Sequence, residues 1–481
     1  MDRRTGAALL AIAGAVATLA FAPSPASATV TEVTKEFKLP PVPGYAVRQD
    51  VQLPAPRPPA SGHIVEMSVD LVDGAGDPIP ISRLMLHHIV FLNSGRIDQS
   101  CQALTAFDNL TSFPGVERFM AAGEERAKMK LPPGYGYDLA DQTPGASGPE
   151  YWGALYMVMN HKPTTENDAY VQYTMKIDDD PEIQGVVPWW LDVENCQADP
   201  IYNVKGTGDP ESESVTTSDF QLDADRLGAS GGRIVAGGGH VHGGAYRLDL
   251  SQPGCDDRDL FSSTPTWGNP DHPFYNVLPV LHEPGPINMT AFRSAEGFPV
   301  TAGSSVRLRS VYDDSQPHTR VMGIMIAYVA PDPSVTDPCG ELPDDVETLG
   351  TNEPGRSEPV PFEVPLTSIN QQTGVAETIS KPPGKTKRVK SGAELQVRDN
   401  YFKTPNVRID RGDRLSWAFD TNDIHNLTLA NGPVAVGSPN LGRDGGGAPR
   451  VFTKRFGEPG TYRMFCALHP TQMAERVVVE K

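Results

Sequence analysis

Near its C-terminus the chain reads Gly460-Thr-Tyr-Arg-Met-Phe-Cys-Ala-Leu-His-Pro-Thr-Gln-Met473, and this segment is the most informative about fold. Its first six residues have the composition of a β-strand, and that strand leads directly into Cys466. His469 and Met473 follow in the same short loop, and an isolated histidine, His425, lies well upstream. One loop and one neighbouring strand are therefore expected to bring four sulfur and imidazole donors together.

This set of donors favours copper. One cysteine sulfur and two imidazole nitrogens, with a weak axial methionine, suit a metal that alternates between two oxidation states. Zinc is the competing metal, and a methionine ligand disfavours it. The alternative without any metal is a small sandwich with a buried free cysteine and unrelated histidines, which needs four ligand types to coincide at these spacings. The predicted ligands are His425, Cys466, His469 and Met473.

The last part of the chain, residues 393–481, resembles the plastocyanin-like cupredoxins. The similarity includes Gly412-Asp-Arg-Leu-Ser-Trp417 and Phe456-Gly-Glu-Pro-Gly-Thr-Tyr462. The resemblance implies a Greek-key β-sandwich that holds one type I (blue) copper and transfers single electrons. The methionine lies at slightly different distances from the cysteine among members of the family, which bears on the reduction potential and not on the ligand set.

The N-terminus has the order of a secretory signal. Basic residues are followed by an apolar run over residues 6–22, then by prolines and Ala26-Ser-Ala28. This order predicts a cleaved signal peptide of residues 1–28 and a mature protein that is secreted, extracellular or periplasmic. A membrane anchor is the alternative, but the run is short for a bilayer span and is closed by prolines. No later stretch is apolar enough to predict a membrane span after cleavage.

Charge and cysteine content narrow the class of protein further. The 481 residues carry a formal net charge of −19, which repels phosphate backbones, so nucleic acid is not an expected partner. Five cysteines in an exported chain predict disulfides and one cysteine left over, which is assigned to the metal as Cys466. The remaining four have three possible pairings, all open: Cys101, Cys196, Cys255 and Cys339.

The whole chain has the pattern of an all-β protein. Gly and Pro number 46 each, and short runs rich in Val, Ile, Tyr and Thr recur between turn residues. Residues 116–130 are the best helical candidate, interpreted as an excursion between strands. Residues 338–392 are rich in Pro, Gly, Thr, Glu and Lys and are predicted to be a linker.

Three histidine motifs precede this linker: Leu84-Met-Leu-His-His-Ile-Val-Phe91, Tyr156-Met-Val-Met-Asn-His-Lys-Pro163 and Gly237-Gly-Gly-His-Val-His-Gly-Gly244. Residues two apart in a strand point the same way, so His240 and His242 can bind one ion from one face. The adjacent His87 and His88 point to opposite faces unless the strand bulges between them.

A methionine-bearing run follows at His318-Thr-Arg-Val-Met-Gly-Ile-Met-Ile-Ala-Tyr328. Strand alternation places Met322, Ile324 and Ile326 on one face and Met325 on the other. Met322 can complete a site with the His-x-His pair. The alternative is that both methionines pack in the core, as methionines in apolar runs usually do.

The order of these motifs over about residues 60–330 resembles that of the copper type II monooxygenases, namely peptidylglycine α-hydroxylating monooxygenase and dopamine β-monooxygenase. The order is a His-His pair, a lone His, a His-x-His pair and a late Met. The resemblance implies two jelly-roll-like sandwiches, each holding one type II copper across an open cleft. It implies an electron-storing site of His87, His88 and His161 and a catalytic, oxygen-binding site of His240, His242 and Met322. Residues 237–244 and 318–329 are also similar to plant stress up-regulated nodulin-type proteins.

Three positions depart from the monooxygenase pattern. Leu86 stands where those enzymes have a cysteine, and Lys162 follows the lone histidine where they place a tyrosine. Gly238 occupies the position of an arginine that the peptidylglycine enzymes use near the substrate carboxylate. Peptide amidation is therefore not expected, although the copper ligands can persist with another substrate.

Four histidines fall outside the matched ligand positions: His63, His272, His282 and His318. They are predicted to be surface or structural residues. His318 is the one expected to contact the ligand-bearing segments, because it lies just before Met322.

The predicted fold class is all-β, with two jelly-roll-like β-sandwich subdomains followed by a cupredoxin Greek-key β-sandwich. The predicted segments are a signal peptide at 1–28, a first monooxygenase-like sandwich at 29–205, a second at 206–337, a linker at 338–392 and the cupredoxin domain at 393–481. The predicted function is a secreted multi-copper, monooxygenase-like redox enzyme with a fused electron-transfer domain. Its partners would be a redox protein or a small-molecule substrate together with O2. The alternatives are a non-catalytic copper-binding or electron-transfer protein and an exported structural or adhesion protein.

Overall fold

The computed structural model confirms that the chain is nearly all β-strand. It describes residues 29–43, 47–58, 61–81, 83–101, 103–105, 112–140, 150–160, 164–207, 209–223, 227–268, 285–315, 318–350, 367–369, 376–378, 382, 384–399, 401–421, 425–439, 441–442, 448–466 and 473–481. Within these residues, the chain has no helix of the length and apolarity that crossing a bilayer requires. Two predicted metal ligands, His161 and His469, lie outside the described residues, as do His272, His282 and the predicted signal peptide.

The first sandwich consists of two sheets, with strand orders β1-β11-β3-β9-β12 (β8 pairing with β3) and β2-β10-β4-β7, and a small β5-β6 hairpin. Its strands are β1 (Val30–Lys38), β2 (Val47–Ala55), β3 (His63–Val72), β4 (Leu84–Ile97), β5 (Ala103–Thr105), β6 (Ser112–Pro114), β7 (Val116–Gly123), β8 (Met129–Lys130), β9 (Tyr135–Asp138), β10 (Trp152–Asn160), β11 (Tyr170–Asp178) and β12 (Gln184–Gly185).

The second sandwich has sheets of order β13-β23-β16-β20-β19, with β24 on β20, and β15-β21-β17-β18, together with a β14-β22 pair. Its strands are β13 (Val187–Asp192), β14 (Tyr202–Val204), β15 (Glu213–Gln221), β16 (Gly231–Val241), β17 (Ala245–Gln252), β18 (Arg258–Ser263), β19 (Pro265–Thr266), β20 (Asn288–Thr301), β21 (Ser305–Asp313), β22 (His318–Val321), β23 (Gly323–Pro331) and β24 (Glu347–Gly350). A 3-10 turn spans Pro253–Cys255.

Both sandwiches repeat one topology, which confirms the jelly-roll prediction. If the eight main strands of each are counted in chain order, one sheet has the order 1-8-3-6 and the other 2-7-4-5. Local sequence explains individual strands. In β11, for example, Val171, Tyr173, Met175 and Ile177 are buried while the residues between them are partly exposed, which is the period-two pattern of a strand with one buried face.

The two sandwiches share a continuous core. On β23, Ile324, Ile326 and Tyr328 pack with the first sandwich, while Met325, Ala327 and Val329 pack inside the second. The predicted alternation along this run is therefore present. β23 is buried on both faces because one face lies against each sandwich. Tyr328 also donates its hydroxyl to the carbonyl oxygen of Phe119 at 3.0 Å across the junction.

Three segment boundaries differ from the prediction. β13 pairs with β23, so residues 187–192 belong to the second sandwich and not to the first. β24 lies in the predicted linker but pairs with β20 of the second sandwich. β27 (Lys387–Arg388) also lies in the predicted linker and pairs with β30 (Asn406–Asp410) of the C-terminal sandwich. Residues 116–130 contain strands β7 and β8, so the helical candidate was wrong. Pairing with a distant strand decides each case, and local composition does not report it.

The C-terminal sandwich has sheets of order β27-β30-β35-β34-β32 and β29-β28-β31-β33. It is preceded by a β25-β26 hairpin. The strands are β25 (Thr367–Ile369), β26 (Ala376–Thr378), β27 (Lys387–Arg388), β28 (Ala393–Arg398), β29 (Tyr401–Phe402), β30 (Asn406–Asp410), β31 (Arg414–Phe419), β32 (Thr428–Asn431), β33 (Arg450–Arg455), β34 (Gly460–Phe465) and β35 (Ala474–Glu480). It has its own core, centred on Trp417.

Disulfides settle the cysteine pairing that the sequence left open. Cys101 pairs with Cys196, which ties the first sandwich to the second. Cys255 pairs with Cys339 inside the second sandwich. Cys466 is free and buried, which confirms its prediction as the cysteine left over.

Candidate metal centres

The C-terminal site is built at one end of the third sandwich. Cys466 follows β34, and its backbone N–H donates to the carbonyl oxygen of Met473 at 3.0 Å, which closes the ligand loop against the next strand. His425 exchanges two backbone hydrogen bonds with Leu441, of 2.9 and 2.7 Å. The Sγ atom of Cys466 lies 3.8 Å from Nδ1 of His425. Three of the four predicted ligands are therefore buried together.

A backbone hydrogen bond reaches the sulfur of Cys466. The N–H of Asn426 donates to Sγ at 3.4 Å and so helps to position the sulfur beside His425. Nε2 of His425 lies 3.8 Å from Oδ1 of Asp399, so Nδ1 is the nitrogen that faces the sulfur. Glu475 lies next to the site. Burial raises its pKa to about 8, and this exceeds the opposing effect of the 2.8 Å hydrogen bond that its carboxylate accepts from the Trp417 indole.

Comparison with known proteins agrees with this geometry. The chain is 30% identical over 110 residues to amicyanin-alpha of Methylorubrum extorquens, a match that covers 22% of this chain and 82% of that protein. Through its C-terminal domain, the chain belongs to the amicyanin family of cupredoxins. No family model matches the chain.

Solved structures of cupredoxins are also similar to a small part of the chain. A purple cupredoxin from Nitrosopumilus maritimus is 23% identical and is matched over 18% of this chain and 99% of its own, with a TM-score of 0.16. A mutant of amicyanin in its Cu(I) form is 27% identical over 18% of this chain and 83% of its own, with a TM-score of 0.16. These matches cover a small share of the chain.

A second group of donors lies where the two N-terminal sandwiches meet. His87, His88 and His242, here called the histidine cluster, are buried, and one ligand atom from each lies within 4.8 Å of the others. The rings of His87 and His242 meet edge to face with centroids 4.6 Å apart. Nδ1 of His87 lies 3.1 Å from Nδ1 of His88. Each sandwich thus contributes part of one potential metal site.

A β-bulge brings His87 and His88 to the same side of the sheet. In the pairing of β4 with β10, His88 is opposite Met157 while Leu86 is opposite Val158, so His87 is the extra residue. A bulge of this kind breaks the alternation that would send adjacent side chains to opposite faces. His87 and His88 can therefore face one metal ion together, because the bulge that this requires is present between them and β10.

His240 lies beside the cluster, with its ring centroid 5.2 Å from that of His242. Its Nδ1 is 3.0 Å from Oε2 of Glu125. Burial lowers the pKa of His240, but the Glu125 carboxylate outweighs this, and the net pKa is raised. Gly123 leaves room for the ring, because a Cβ there would lie 2.4 Å from Cε1 of His240. Nε2 of His240 has no hydrogen-bond partner in the part of the chain that the structure describes.

An apolar cavity of about 200 Å³ adjoins these residues. His88, His240 and Met322 line it together with aliphatic side chains and Trp190. Met322 is buried and also packs with the core of the first sandwich, so the metal-binding and core interpretations of this residue are not exclusive. Its thioether is within the same cavity wall as two candidate imidazole ligands.

The grouping of the histidines differs from the prediction. His242 was expected to share a site with His240 and Met322, separated by an open cleft from His87 and His88. The structure places His242 in contact with His87, because the sandwiches pack on a common core instead of standing apart. His161, the predicted third ligand of the first site, lies outside the described residues.

Backbone contacts orient His242. Its Nδ1 donates to the carbonyl oxygen of Arg320 at 2.8 Å, so Nε2 is the nitrogen available to a metal. Its backbone N–H donates to Oη of Tyr312 at 2.9 Å, and that hydroxyl donates to the carbonyl oxygen of Met322 at 2.6 Å. Tyr312 therefore fixes the segment of His242 relative to that of Met322.

The remaining described histidines have supporting positions. His318 packs on Gly244, where a Cβ would lie 2.2 Å from Cε1 of its ring, and its Nε2 is 4.0 Å from Oδ2 of Asp313. It thus contacts the segment that follows His242, as its position in the sequence indicated. His63 lies on β3, apart from the cluster.

Sequence reasoning missed Glu125, Tyr312 and Arg320. Glu125 had a signal, because two acidic residues follow directly after the apolar run that ends at Gly123. Arg320 had none, since it acts on His242 through its backbone oxygen and any residue type supplies that oxygen.

Proposed function

We propose that this chain is a secreted copper redox enzyme of the monooxygenase type, in which the cupredoxin domain delivers electrons to copper at the histidine cluster. The observation that carries the proposal is the convergence of His87, His88 and His242 from two sandwiches onto one buried point. The two disulfides support export, because they persist in an oxidising compartment.

The donor chemistry fits copper at both places. At the cupredoxin site, a cysteine sulfur, an imidazole and a methionine match the ligands of type I copper, with His469 as the predicted second imidazole. At the cluster, three imidazoles suit copper, and the thioether of Met322 near His240 favours copper over zinc. We assign one copper to His87, His88 and His242 and a second to His240 and Met322.

Copper bound at these positions supplies one-electron transfer at the cupredoxin site and oxygen chemistry beside the cavity. The residues of the chain provide the setting. Glu125 and the Arg320 carbonyl fix the donor nitrogens of His240 and His242. The buried histidines and the aliphatic cavity wall keep water from the reacting region.

The cavity indicates the class of substrate. Its wall is aliphatic and aromatic apart from His88, His240, Arg118 and Asp199, and its size suits a small organic molecule. Arg118 is engaged, since its Nε donates to Oδ2 of Asp98 at 2.7 Å and its guanidinium stacks over Trp190. The substrate is therefore expected to be small and largely apolar, and Nη2 of Arg118, which has no hydrogen-bond partner among the described residues, offers one donor to a polar group on it.

A second candidate is a copper-binding electron-transfer protein without catalysis. The observation in its favour is the close packing of His87 against His242 at a junction with a shared core. In that case the cluster stores or passes electrons and the cavity admits no substrate.

Metal content and reaction with oxygen test the proposal. The mature protein is loaded with copper, and copper per chain is measured together with visible and EPR spectra. We expect three copper ions per chain, a blue signal and a type II signal. The protein is then reduced without oxygen and mixed with oxygenated buffer in a stopped-flow instrument, with small apolar compounds as candidate substrates.

The outcomes separate the candidates. Reoxidation that is faster with a substrate supports the oxygenase. One or two copper ions and no oxygen-dependent reoxidation with any substrate support the electron-transfer protein. A Cys466→Ser variant is the matched control, since it should lose the blue signal and keep the type II signal.

A further inference from the structure

The cupredoxin domain is docked on the second sandwich at one defined contact. Gly437 of the cupredoxin domain lies against Asn203 of the second sandwich. A Cβ at position 437 would be 2.7 Å from Oδ1 of Asn203. The same Oδ1 accepts a hydrogen bond of 3.0 Å from the backbone N–H of Arg320. The contact borders a cavity of about 190 Å³ lined by both domains. The segment that carries Arg320 is thus held next to the loop that follows β32 in the cupredoxin domain.

The side chain of Arg320 crosses this contact. Its Nη1 donates to the carbonyl oxygen of Ser438 at 2.8 Å, and its Nη2 lies 3.6 Å from Oδ2 of Asp199. The side chain is only 11% exposed, so its charge is compensated mainly by Asp199. The backbone is in the left-handed region, with φ of 57°, and this turns the carbonyl oxygen of Arg320 toward His242.

The bonds on the cupredoxin side continue to the cysteine ligand. Ser438 and Leu427 are joined by two hydrogen bonds of 2.8 Å, from Ser438 N–H to the Leu427 oxygen and from Leu427 N–H to Oγ of Ser438. The residue before Leu427 is Asn426, whose N–H donates to Sγ of Cys466. Covalent bonds and hydrogen bonds therefore connect Cys466, Ser438, Arg320 and His242 without a gap.

We propose that Arg320 is the positioning residue that couples the cupredoxin site electronically to the histidine cluster. This inference rests on the proposed function, in which one electron leaves the Cys466 site, which is oxidised, and enters the His242 site, which is reduced. No bond is made or broken and no proton moves. Arg320 contributes at both ends, through its guanidinium to Ser438 and through its backbone oxygen to His242.

An arginine is required here for a physical reason. Its planar group offers donors in two directions, so one nitrogen can reach Ser438 while another faces Asp199. Lysine has a single nitrogen and cannot keep both contacts in the same arrangement. Substitution therefore weakens the path without touching a copper ligand, because the bond to His242 uses only the backbone.

The test measures electron transfer within the full-length, copper-loaded protein. Pulse radiolysis reduces the cupredoxin site, and the return of its blue absorbance reports electron transfer to the cluster. The variants are Arg320→Ala and Arg320→Lys, with Arg463→Ala, at an exposed arginine of β34, as the matched control. Copper content, EPR spectra, the reduction potential of the blue site and small-angle scattering are recorded for each.

We expect Arg320→Ala to slow the transfer by about tenfold, which is within the range by which substitutions between two sites typically change their coupling. Copper content and EPR spectra should stay at wild-type values, which a general structural defect would not allow. The charge of Arg320 interacts with Cys466, so the reduction potential of the blue site is measured in each variant and transfer rates are compared after correction for driving force. Arg320→Lys should be intermediate, and Arg463→Ala should match the wild type. Scattering will show whether the cupredoxin domain of Arg320→Ala has separated from the second sandwich. If it has, Arg320→Lys is the deciding variant, and slower transfer in that variant with its domains still docked supports the inference.

Two results overturn the inference in distinguishable ways. Transfer at the wild-type rate in docked Arg320 variants removes the role of Arg320 and leaves the proposed function in place. A wild-type protein that holds copper at both sites but shows no transfer between them removes the proposed function, and the inference with it.

Discussion

The imidazole rings of His87 and His242 meet edge to face, with centroids 4.6 Å apart, although they belong to different sandwiches. The metal ion proposed for both residues would link the sandwiches in addition to their shared core and the Cys101–Cys196 disulfide. Metal binding there would be thermodynamically coupled to the packing of this junction, because a ligand that binds only the folded arrangement stabilises it.

Replacing His242 should remove copper from the cluster and leave the cupredoxin site intact. In His242→Ala, the cluster loses one of its three imidazoles while Cys466 and its neighbours are unchanged. We expect less copper per chain, a weaker type II EPR signal because only the copper at His240 and Met322 remains, and an unaltered blue absorbance. His63→Ala is the control and should retain all of its copper. Unchanged copper content in His242→Ala would favour the structural interpretation of the histidines.

Replacing Glu125 should weaken the metal site at His240. Glu125→Gln keeps the shape of the side chain but removes the carboxylate that orients His240 through Nδ1. Loss of such a partner typically lowers metal affinity by about 10- to 100-fold. A competition titration with a copper chelator measures the change. Glu211→Gln, at an exposed position, should bind copper like the wild type, and equal affinities in both variants would argue against a role for Glu125.

Removing the disulfide between the sandwiches should affect both stability and the cluster. The Cys101→Ser/Cys196→Ser double variant opens a link between residues 95 positions apart, and such losses typically cost about 2–5 kcal/mol of unfolding free energy. We also expect weaker copper binding at the cluster, since the link joins the two sandwiches that supply its ligands. Denaturant unfolding and chelator titration measure the two effects.

The second disulfide provides the comparison. Cys255→Ser/Cys339→Ser removes a link that lies inside the second sandwich. It should lower stability to a similar extent and leave copper affinity at the cluster unchanged. If both double variants lose copper equally, general destabilisation and not the junction explains the loss.

Glu117 should make stability depend on pH. Burial raises the pKa of Glu117 from 4.5 to about 7, and this exceeds the opposing effects of Arg96 and of the 2.6 Å hydrogen bond from Tyr137. Between pH 4.5 and about 7, the Glu117 carboxyl is deprotonated in the unfolded chain and protonated in the folded chain. The free energy of unfolding therefore falls as pH rises through this range.

The Glu117→Gln variant tests this sign. It has no proton to lose, so its thermal midpoint should fall less than that of the wild type as pH rises from 4.5 to about 7. Circular dichroism melts at several pH values measure the difference. Glu211→Gln should follow the wild type, and parallel pH profiles for Glu117→Gln and wild type would contradict the prediction.

Local sequence was enough for much of the chain. The loop from Cys466 to Met473, with its preceding strand, predicted the cupredoxin domain, because three ligands of such a site come from one short segment. Strand alternation predicted the faces of Met322, Ile324 and Met325 for the same local reason. The odd cysteine predicted Cys466 as the free one.

Other features depended on pairing between distant segments. β13 and β24 joined the second sandwich through backbone hydrogen bonds to β23 and β20, which leave no mark in local composition. The partners of Cys101 and Cys255 were equally undetermined, since any of three pairings satisfies the same count.

Residue types and short spacings were sufficient to predict which side chains can bind a metal, because donor chemistry is local. The contact of His242 with His87 and His88 became apparent only in the folded chain, since it requires a bulge in β4 and the packing of two sandwiches on one core. The folded chain also shows that the backbone oxygen of Arg320 orients His242 while its guanidinium reaches Ser438. Backbone groups and long-range packing do not depend on particular residue types, so no sequence motif predicts them.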